Sequence, residues 1–253
     1  MRIAVLSDVH GNLPALEAVM SHLEAQGGYD EIWVLGDLAV FCPYPAQVLE
    51  WLAALPKARF VQGNTDGYLV SGRRPPQMAV QDETQWNDMP GFLEERDASF
   101  RWTVSHVSYE GYLFLCALPF QQRVQIPGYG AVLGVHGSPF GDEVGVWEHT
   151  TDADLRDMLS DTECKLLLCG HTHCPLDRSM DSTRVINVGS VGLPLDGDRR
   201  AAYAMLDIEG GQCQSALHRV EYDVKEVLAK LSEVGHPGVD WVGSRLRLAA
   251  HPR

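Results

Sequence analysis

The chain has 253 residues, 45% of them hydrophobic, which is long enough to bury a large core and excludes a disordered chain or a small disulfide-stapled one. Its 20 basic and 34 acidic residues give a net charge of −14 at pH 7. Such a surface repels phosphate backbones, so we expect no non-specific binding to nucleic acid. A small phosphoester substrate remains compatible, because a bound cation reverses the charge locally.

Short apolar runs alternate with helical patterns along the chain, and six of these runs predict strands buried on both faces. The runs cover residues 2–6, 32–35, 59–61, 131–135, 165–169 and 184–186. Helices are predicted over residues 13–25, 45–55, 152–159 and 224–234. The alternation indicates a mostly parallel α/β arrangement in a single domain spanning residues 1–253.

Other segments depart from this alternation. Residues 67–128 contain paired Arg and Pro residues and a polar, tryptophan-containing stretch, which predict a helical cap inserted over one end of the sheet. Within it, residues 109–118 fit a helix or a strand equally well. Residues 202–208 and 212–220 predict a hairpin. The tail from about residue 235 is expected to be loosely held.

The sequence also predicts where in the cell the protein is located. No run of about 18 apolar residues is present, and the first apolar run meets Asp8 and His10 too early for a signal peptide. The six cysteines form no CxxC pair. We therefore expect free thiols, a cytoplasmic protein and no membrane contact, while the oligomeric state stays open.

Metal-capable side chains follow five of the six predicted strands. They are Asp8, His10, Asp37, Asn64, His136, His171 and His173. The carboxyl ends of parallel strands gather at one edge of a sheet. Asp8 and His10 are two residues apart, as are His171 and His173, and extended backbone would point both members of each pair in one direction. The sequence therefore predicts one pocket that holds all seven donors.

Seven donors exceed the roughly four to six ligands, water included, that one first-row cation takes, but they suit two cations that share a carboxylate. Imidazole and carboxylate without thiolate favour Mn, Fe, Co, Ni or Zn over Ca or Mg, with Mn as the first choice. Two divalent ions would make this pocket positive inside an acidic protein, which suits a phosphate group.

The order of the motifs resembles that of the calcineurin-like metallophosphoesterase superfamily. The motifs are Asp8-x-His10, Gly36-Asp37, Gly63-Asn64-x-Asp66, His136-Gly137 and Gly170-His171-x-His173. The strings Ser-Asp-Val-His-Gly-Asn and Ile-Asn-Val-Gly-Ser-Val-Gly-Leu-Pro are similar to its small bacterial and archaeal phosphodiesterase branch. The resemblance implies a four-layer α/β/β/α sandwich, with a helical insertion in this chain, around a dinuclear metal centre.

The same resemblance implies a ligand set. Asp8, His10, Asp37 and His173 would bind one ion, and Asp37, Asn64, His136 and His171 would bind the other. Asp37 would bridge the two ions, and Asp37, Asn64 and His136 would be the catalytic residues. The implied reaction is in-line attack on phosphorus by a metal-bridging hydroxide.

Thr65 departs from the family pattern, since many members carry there the His that protonates the leaving oxygen. Threonine cannot supply a proton near pH 7, and loss of general acid catalysis costs about 10²–10⁴-fold in rate. We therefore expect a phosphodiesterase, with a phosphomonoesterase or a serine/threonine protein phosphatase as the alternative. His106 or His149 is the candidate replacement for the missing histidine partner of Asp66.

Asn12, Arg199 and Arg73 are candidates for substrate binding, although Asn12 fits the N-cap of the first helix equally well. Leu195 stands where the family often has Arg. Cys169 flanks the His pair, but a buried free Cys behaves as a small hydrophobe rather than as a ligand. A rival from another class is a non-catalytic scaffold of this fold, similar to one retromer subunit, but such a scaffold has lost ligands that this chain retains.

Overall fold

The computed structural model describes residues 1–76, 80 and 82–250. Its strands are β1 (Arg2–Leu6), β2 (Glu31–Val34), β3 (Ala58–Phe60), β4 (Gln121–Ile126), β5 (Gly130–Val135), β6 (Leu166–Cys169), β7 (Leu176–Met180), β8 (Thr183–Asn187), β9 (Ala201–Glu209) and β10 (Gln212–Val220). Its helices are α1 (Leu13–Ala25), α2 (Pro45–Ala53), α3 (Asn64–Ser71), α4 (Glu83–His106), α5 (Tyr109–Cys116), α6 (Asp152–Leu159), α7 (Val224–Glu233) and α8 (Val239–Leu248). None of these helices is both long and apolar enough to cross a lipid bilayer.

The described strands form two five-stranded sheets. The first has the order β10-β9-β1-β2-β3 and the second the order β4-β5-β6-β8-β7. The pairs β1–β2, β2–β3, β5–β6 and β6–β8 are parallel, while β9, β10, β4 and β7 join their neighbours antiparallel. The expected parallel arrangement thus holds for β1–β3 of the first sheet and the centre of the second, while antiparallel strands flank both.

The hydrophobic core lies in layers on either side of each sheet. Between the sheets, Val5 and Trp33 pack with Leu168 and Ile186. The contact is close at Gly134, where a Cβ would lie 2.9 Å from the Trp33 ring. Helices α1 and α2 cover the outer face of the first sheet, and α6 covers the second. The predicted four-layer α/β/β/α sandwich is confirmed.

The helical insertion differs from its predicted range of 67–128. The ambiguous stretch 109–118 is helical, since α5 begins after the N-cap residue Ser108. Residues 121–126 are not part of the cap, because they form β4 and pair antiparallel with β5. Their alternation of exposed and part-buried positions is typical of an edge strand. Residues 77–79 and 81 of this segment lie outside the described residues.

The C-terminal segment also differs from the expected loose tail. Helix α8 packs on α7, and its Val242 and Leu246 are buried against Val227 and Leu231. The spacing of Val239, Val242 and Leu246 carries the helical period, but the basic residues between them obscure it. Residues 251–253 lie outside the described part of the chain.

Candidate metal centre

The seven predicted donors meet at one edge of the two sheets, but not through extended backbone. Five of them adopt left-handed backbone: Asp8 (φ 56°), His10 (52°), Asp37 (56°), His171 (66°) and His173 (59°). The expectation that extended pairs point the same way is therefore wrong. The chain turns sharply at each of these five residues, a conformation that costs energy in non-glycine residues and is characteristic of functional sites.

Contacts between the strand-end loops impose these turns. Beyond the end of β1, the N–H of Asp8 donates to the carbonyl of Gly36 (3.0 Å), and that of His10 to the carbonyl of Asp37 (2.9 Å). The loop after β6 touches the end of β1 as well, since a Cβ on Gly170 would lie 2.0 Å from Ser7 Oγ. Loops from both sheets are thus held in one cluster.

The first part of the cluster, which we name the enclosed group, consists of Asp8, His10 and His173. Each of the three exposes at most 7% of its surface. The Nε2 atoms of His10 and His173 are 3.2 Å apart, and Asp8 Oδ1 lies 3.2 Å from His173 Nε2 and 3.8 Å from His10 Nε2. Their ligand atoms are therefore within reach of a single ion.

The hydrogen bonds behind these rings determine which nitrogen carries the proton. His10 Nδ1 faces the carbonyl of Val40 (3.1 Å), and His173 Nδ1 faces the carbonyl of Leu193. A carbonyl only accepts, so each Nδ1 carries the proton and each Nε2 presents a lone pair. Two lone pairs then face each other beside Asp8 Oδ1, a buried oxygen with no hydrogen-bond partner among the described residues. This arrangement is unfavourable without a cation, so the residues fit a metal ion.

The second part, which we name the open group, consists of Asn64, His136 and His171. Asn64 Oδ1 lies 3.0 Å from both His136 Nε2 and His171 Nδ1. His136 is buried and its Nδ1 faces the carbonyl of Leu35 at 2.6 Å, whereas Asn64 and His171 are half-buried. This group therefore reaches the surface of the site.

Asp37 lies between the two groups. Its Oδ2 is 3.7 Å from His10 Nε2 in the enclosed group, and its Oδ1 is 3.5 Å from His136 Nε2 in the open group. Asp8 Oδ1 also lies 4.0 Å from His136 Nε2. A carboxylate with one oxygen toward each group has the geometry that a shared ligand needs.

Burial and neighbouring charges set the protonation of the cluster. Burial opposes charge on Asp8, but the adjacent histidines outweigh it and hold the pKa of that carboxyl below its ordinary value. Burial, with His173 beside it, lowers the pKa of His10 to about 3, and burial with His136 lowers the pKa of His171 to about 3. Both imidazoles are therefore neutral at pH 7, the form that binds metal.

Asp66 has a role that the sequence did not reveal. Its carboxylate accepts hydrogen bonds from the backbone N–H groups of Asp37 (2.8 Å), Leu38 (2.9 Å) and Gly63 (3.0 Å). Burial, with Asp37 nearby, raises its pKa to about 7. Asp66 thereby holds the loops after β2 and β3 together, and its position in the Gly63-Asn64-x-Asp66 motif is the signal that could have indicated this.

The structure does not bring the candidate acids to Asp66. His106 is exposed and stacks on Trp102, and the exposed His149 stacks on Trp147. Neither histidine has a hydrogen bond or ion pair with Asp66 in the described part of the chain. The expected replacement of its histidine partner is wrong, because backbone N–H groups occupy both carboxylate oxygens.

Asn187, the last residue of β8, positions the His pair through its amide. Its Nδ2 donates to the carbonyl of Gly170 (2.7 Å) and to Thr172 Oγ1 (2.9 Å), which lie on either side of His171. Cys169 before this turn is buried, and burial raises the pKa of its thiol to about 12. It is therefore a neutral thiol, as expected for a small hydrophobe.

Of the three candidate substrate-binding residues, one is a buried helix cap and two are exposed. Asn12 is an N-cap, since its Oδ1 accepts from the N–H of Ala15 (3.3 Å) and its Nδ2 donates to the carbonyl of Gly192 (2.8 Å). Arg199 and Arg73 are exposed. Among the described residues, none of the three forms a hydrogen bond or ion pair with a donor, so their role in binding stays a prediction.

Comparisons with known proteins agree with this geometry. The calcineurin-like phosphoesterase superfamily domain matches residues 1–211. The uncharacterized protein MJ0912 of Methanocaldococcus jannaschii is 29% identical over 261 residues, 97% of each chain. A metallophosphoesterase structure from Sphaerobacter thermophilus is 29% identical, with a TM-score of 0.76 over 99% of both chains. The hypothetical protein PH1004 of Pyrococcus horikoshii, 23% identical with a TM-score of 0.82 over 99% of both chains, shares the fold. The chain therefore belongs to the calcineurin-like phosphoesterase superfamily, a family of metal-dependent phosphoesterases.

Proposed function

We propose that this chain is a dinuclear-metal phosphoesterase that prefers phosphodiesters. The observation that carries the proposal is the position of Asp37, whose two carboxylate oxygens face one histidine of each group. The buried, unpartnered Asp8 Oδ1 beside two imidazole lone pairs supports it independently, since these atoms fit a cation.

The residues that would hold the ions follow from the two groups. Asp8, His10, Asp37 and His173 would bind one ion, and Asp37, Asn64, His136 and His171 the other, with Mn preferred and Fe, Co, Ni or Zn as alternatives. When bound, such ions lower the pKa of water and withdraw charge from phosphate oxygens. The protein fixes the site through the carbonyls of Leu35, Val40 and Leu193, which orient three imidazoles from behind.

Thr65 supports the preference for diesters. It is buried, and its backbone N–H donates to Asp37 Oδ1 (2.9 Å), so a residue with no usable proton occupies the position of the family's acid. Leaving groups that need a proton, such as simple alkoxides, are then disfavoured. Asp142 and Glu143 lie beside α3 near Asn64, and their charge disfavours a dianionic monoester relative to a monoanionic diester.

Substitution of Thr65 tests this proposal. With manganese present, we expect the wild-type protein to hydrolyse bis(4-nitrophenyl) phosphate faster than 4-nitrophenyl phosphate. Thr65→His restores an acid and should raise hydrolysis of an alkyl monoester such as glycerol phosphate by about 10²-fold, the low end of general acid catalysis. Thr65→Ser is the matched control and should leave the substrate preference unchanged.

The same assay separates the alternatives. A wild-type protein that prefers the monoester would favour a phosphomonoesterase or protein phosphatase. A folded, manganese-loaded protein that hydrolyses neither ester would favour a non-catalytic scaffold. Equal gains for Thr65→Ser and Thr65→His would contradict the role assigned to this position.

A further inference from the structure

The loop that connects β5 to α6, residues 137–150, borders the open group, and we name it the rim loop. On one side, its Glu143 accepts a hydrogen bond from the hydroxyl of Tyr68, which lies on the helix that begins at Asn64. On the other side, a Cβ placed on its Gly145 would lie 2.5 Å from Cγ2 of Thr172, the residue between the two histidines of the His pair. The rim loop therefore extends from the helix of Asn64 to the turn that carries the His pair.

Trp147 of the rim loop is close to a donor. A Cβ placed on Gly145 would lie 3.1 Å from His171 Cδ2 and 3.3 Å from Trp147 Nε1. The indole of Trp147 and the imidazole of His171 thus both pack close to Gly145. Trp147 is therefore a neighbour of the open group.

The rim loop exposes apolar side chains on a fixed backbone. Phe140 is 57% exposed, Val144 40% and Trp147 37%. Trp147 and Thr150 form two hydrogen bonds, Trp147 N–H to Thr150 Oγ1 (2.8 Å) and Thr150 N–H to the Trp147 carbonyl (3.1 Å), and Val146, just before Trp147, is fully buried. Trp147 is therefore an exposed indole on a held backbone, which suits it to pack against a flat ring.

The charge of the rim loop restricts what it binds. Residues 137–150 contain Asp142, Glu143 and Glu148 but no Lys or Arg. A second phosphate or a carboxylate on the substrate would be repelled here, whereas a flat neutral ring stacks on an indole without cost in charge. We propose that Trp147 of the rim loop binds an uncharged aromatic arm of the phosphodiester, either an aryl group or a nucleobase. This specificity role rests on the proposed function.

Calorimetric binding to the manganese-loaded protein tests the proposal through affinity rather than rate. Three monoanionic probes differ only in the arm beside the methyl group: dimethylphosphinate, methyl(phenyl)phosphinate and thymidine 5′-methylphosphonate. We expect the wild-type protein to bind at least one aromatic probe about three- to tenfold more tightly than dimethylphosphinate, the range of one aromatic pair. A gain for the phenyl probe alone indicates an aryl arm, and a gain for the thymidine probe alone indicates a nucleobase.

Tryptophan substitutions test whether the gain in affinity for aromatic probes comes from the rim loop. Trp147→Ala should abolish the aromatic gain and leave the affinity for dimethylphosphinate unchanged, and Trp147→Phe should retain part of the gain. Trp86→Ala is the matched control, because Trp86 is 61% exposed at the start of α4, and it should behave as wild type. Equal affinities for all three probes, or an aromatic gain that survives Trp147→Ala, would overturn the inference.

The outcomes also separate this inference from the proposed function. If dimethylphosphinate binds and diesters are hydrolysed, but no aromatic gain is seen, only the role of Trp147 is wrong. If dimethylphosphinate does not bind the manganese-loaded protein and no ester is hydrolysed, the proposed function fails and this inference fails with it.

Discussion

The enclosed group and the open group each combine two histidines with one oxygen donor, a carboxylate in the first and an amide in the second, but they differ in their surroundings. Asp8, His10 and His173 are sealed from solvent, whereas Asn64 and His171 are half-buried beside the rim loop. A sealed set of ligands exchanges its ion with difficulty, and a half-exposed set can admit a substrate oxygen. We therefore expect retention of the first ion to depend on the enclosed group, and substrate contact to depend on the open group.

The enclosed group is closed from behind by aromatic side chains. The Phe41 ring lies 5.3 Å from the His10 ring, and Trp241 of α8 lies 4.8 Å from Phe41. Phe100 of α4 also packs on Phe41 at 5.7 Å. Phe41 adopts a φ of 96°, a strained conformation for an aromatic residue. The insertion and the C-terminal helix thus both contribute to the wall of the metal centre.

The largest expected effect comes from the residue that joins the two groups. Asp37→Ala should lower diester hydrolysis by about 10³-fold, more than the ~10–100-fold cost of losing a residue that only orients a ligand. Initial rates at saturating manganese measure it, with circular dichroism as the control for folding. An active Asp37→Ala protein would show that the two groups do not depend on a shared carboxylate.

The packing of α8, which contributes to the wall behind the enclosed group, provides the next test. Leu246 on α8 is 2% exposed, so Leu246→Ala should lower the free energy of unfolding by about 2–4 kcal/mol. Leu248 on the same helix is 59% exposed, and Leu248→Ala should change it by less than about 0.5 kcal/mol. Urea denaturation measures both. Equal effects of the two substitutions would show that α8 is not packed in solution.

Loss of the Asn64 amide should weaken metal binding by the open group but not by the enclosed group. Asn64→Ala removes the oxygen that lies 3.0 Å from both His136 and His171, and should weaken the more weakly held manganese ion by at least about 10-fold, the low end of the cost of losing even a residue that only orients a ligand. The tighter ion, assigned to the enclosed group, should be unaffected. A manganese titration followed by calorimetry resolves the two steps, and equal weakening of both would refute the division into two groups.

The smallest expected effect is a pH dependence of the free energy of unfolding, caused by His236 just before α8. Burial, with His106 nearby, lowers the pKa of His236 to about 4, below the value of about 6.5 in an unfolded chain. The unfolded state therefore binds more protons between these values, so stability is lost as the pH falls from about 6.5 toward 4, by at most about 1.4 kcal/mol per unit.

Substitution isolates this contribution. His236→Gln should remove that part of the pH dependence, measured as the difference between the two proteins in urea unfolding with chelator at pH 7.5 and pH 5. Chelator prevents metal release from adding its own pH dependence. Parallel pH profiles for the two proteins would contradict the buried, neutral state of His236.

The location of the site could be predicted because its signals are local. Each donor lies within four residues after the end of a short apolar run, so strand and ligand are read together from nearby residues, as at Asp37 after β2. The reason for the convergence could not be predicted. The left-handed turns at Asp8 and His10 depend on hydrogen bonds to the loop after β2, and such tertiary contacts leave no periodic signal.

Two strands that the sequence did not predict, β4 and β7, also lack a local signal. Strand β7, Leu-Asp-Arg-Ser-Met, lies at a sheet edge and has no apolar run. The residues of β4 were assigned to the insertion because they are mostly polar and contain no apolar run, like the helical segment before them. Phe41 showed no sign of its contact with His10, since the contact exists only after the strand-end loops have come together.

Counting the bound metal tests the central claim most directly. After manganese loading and removal of excess ion, elemental analysis should find two ions per wild-type chain, and anomalous diffraction should place them on either side of the Asp37 carboxylate. One ion per chain, or two ions without a common carboxylate, would contradict the account.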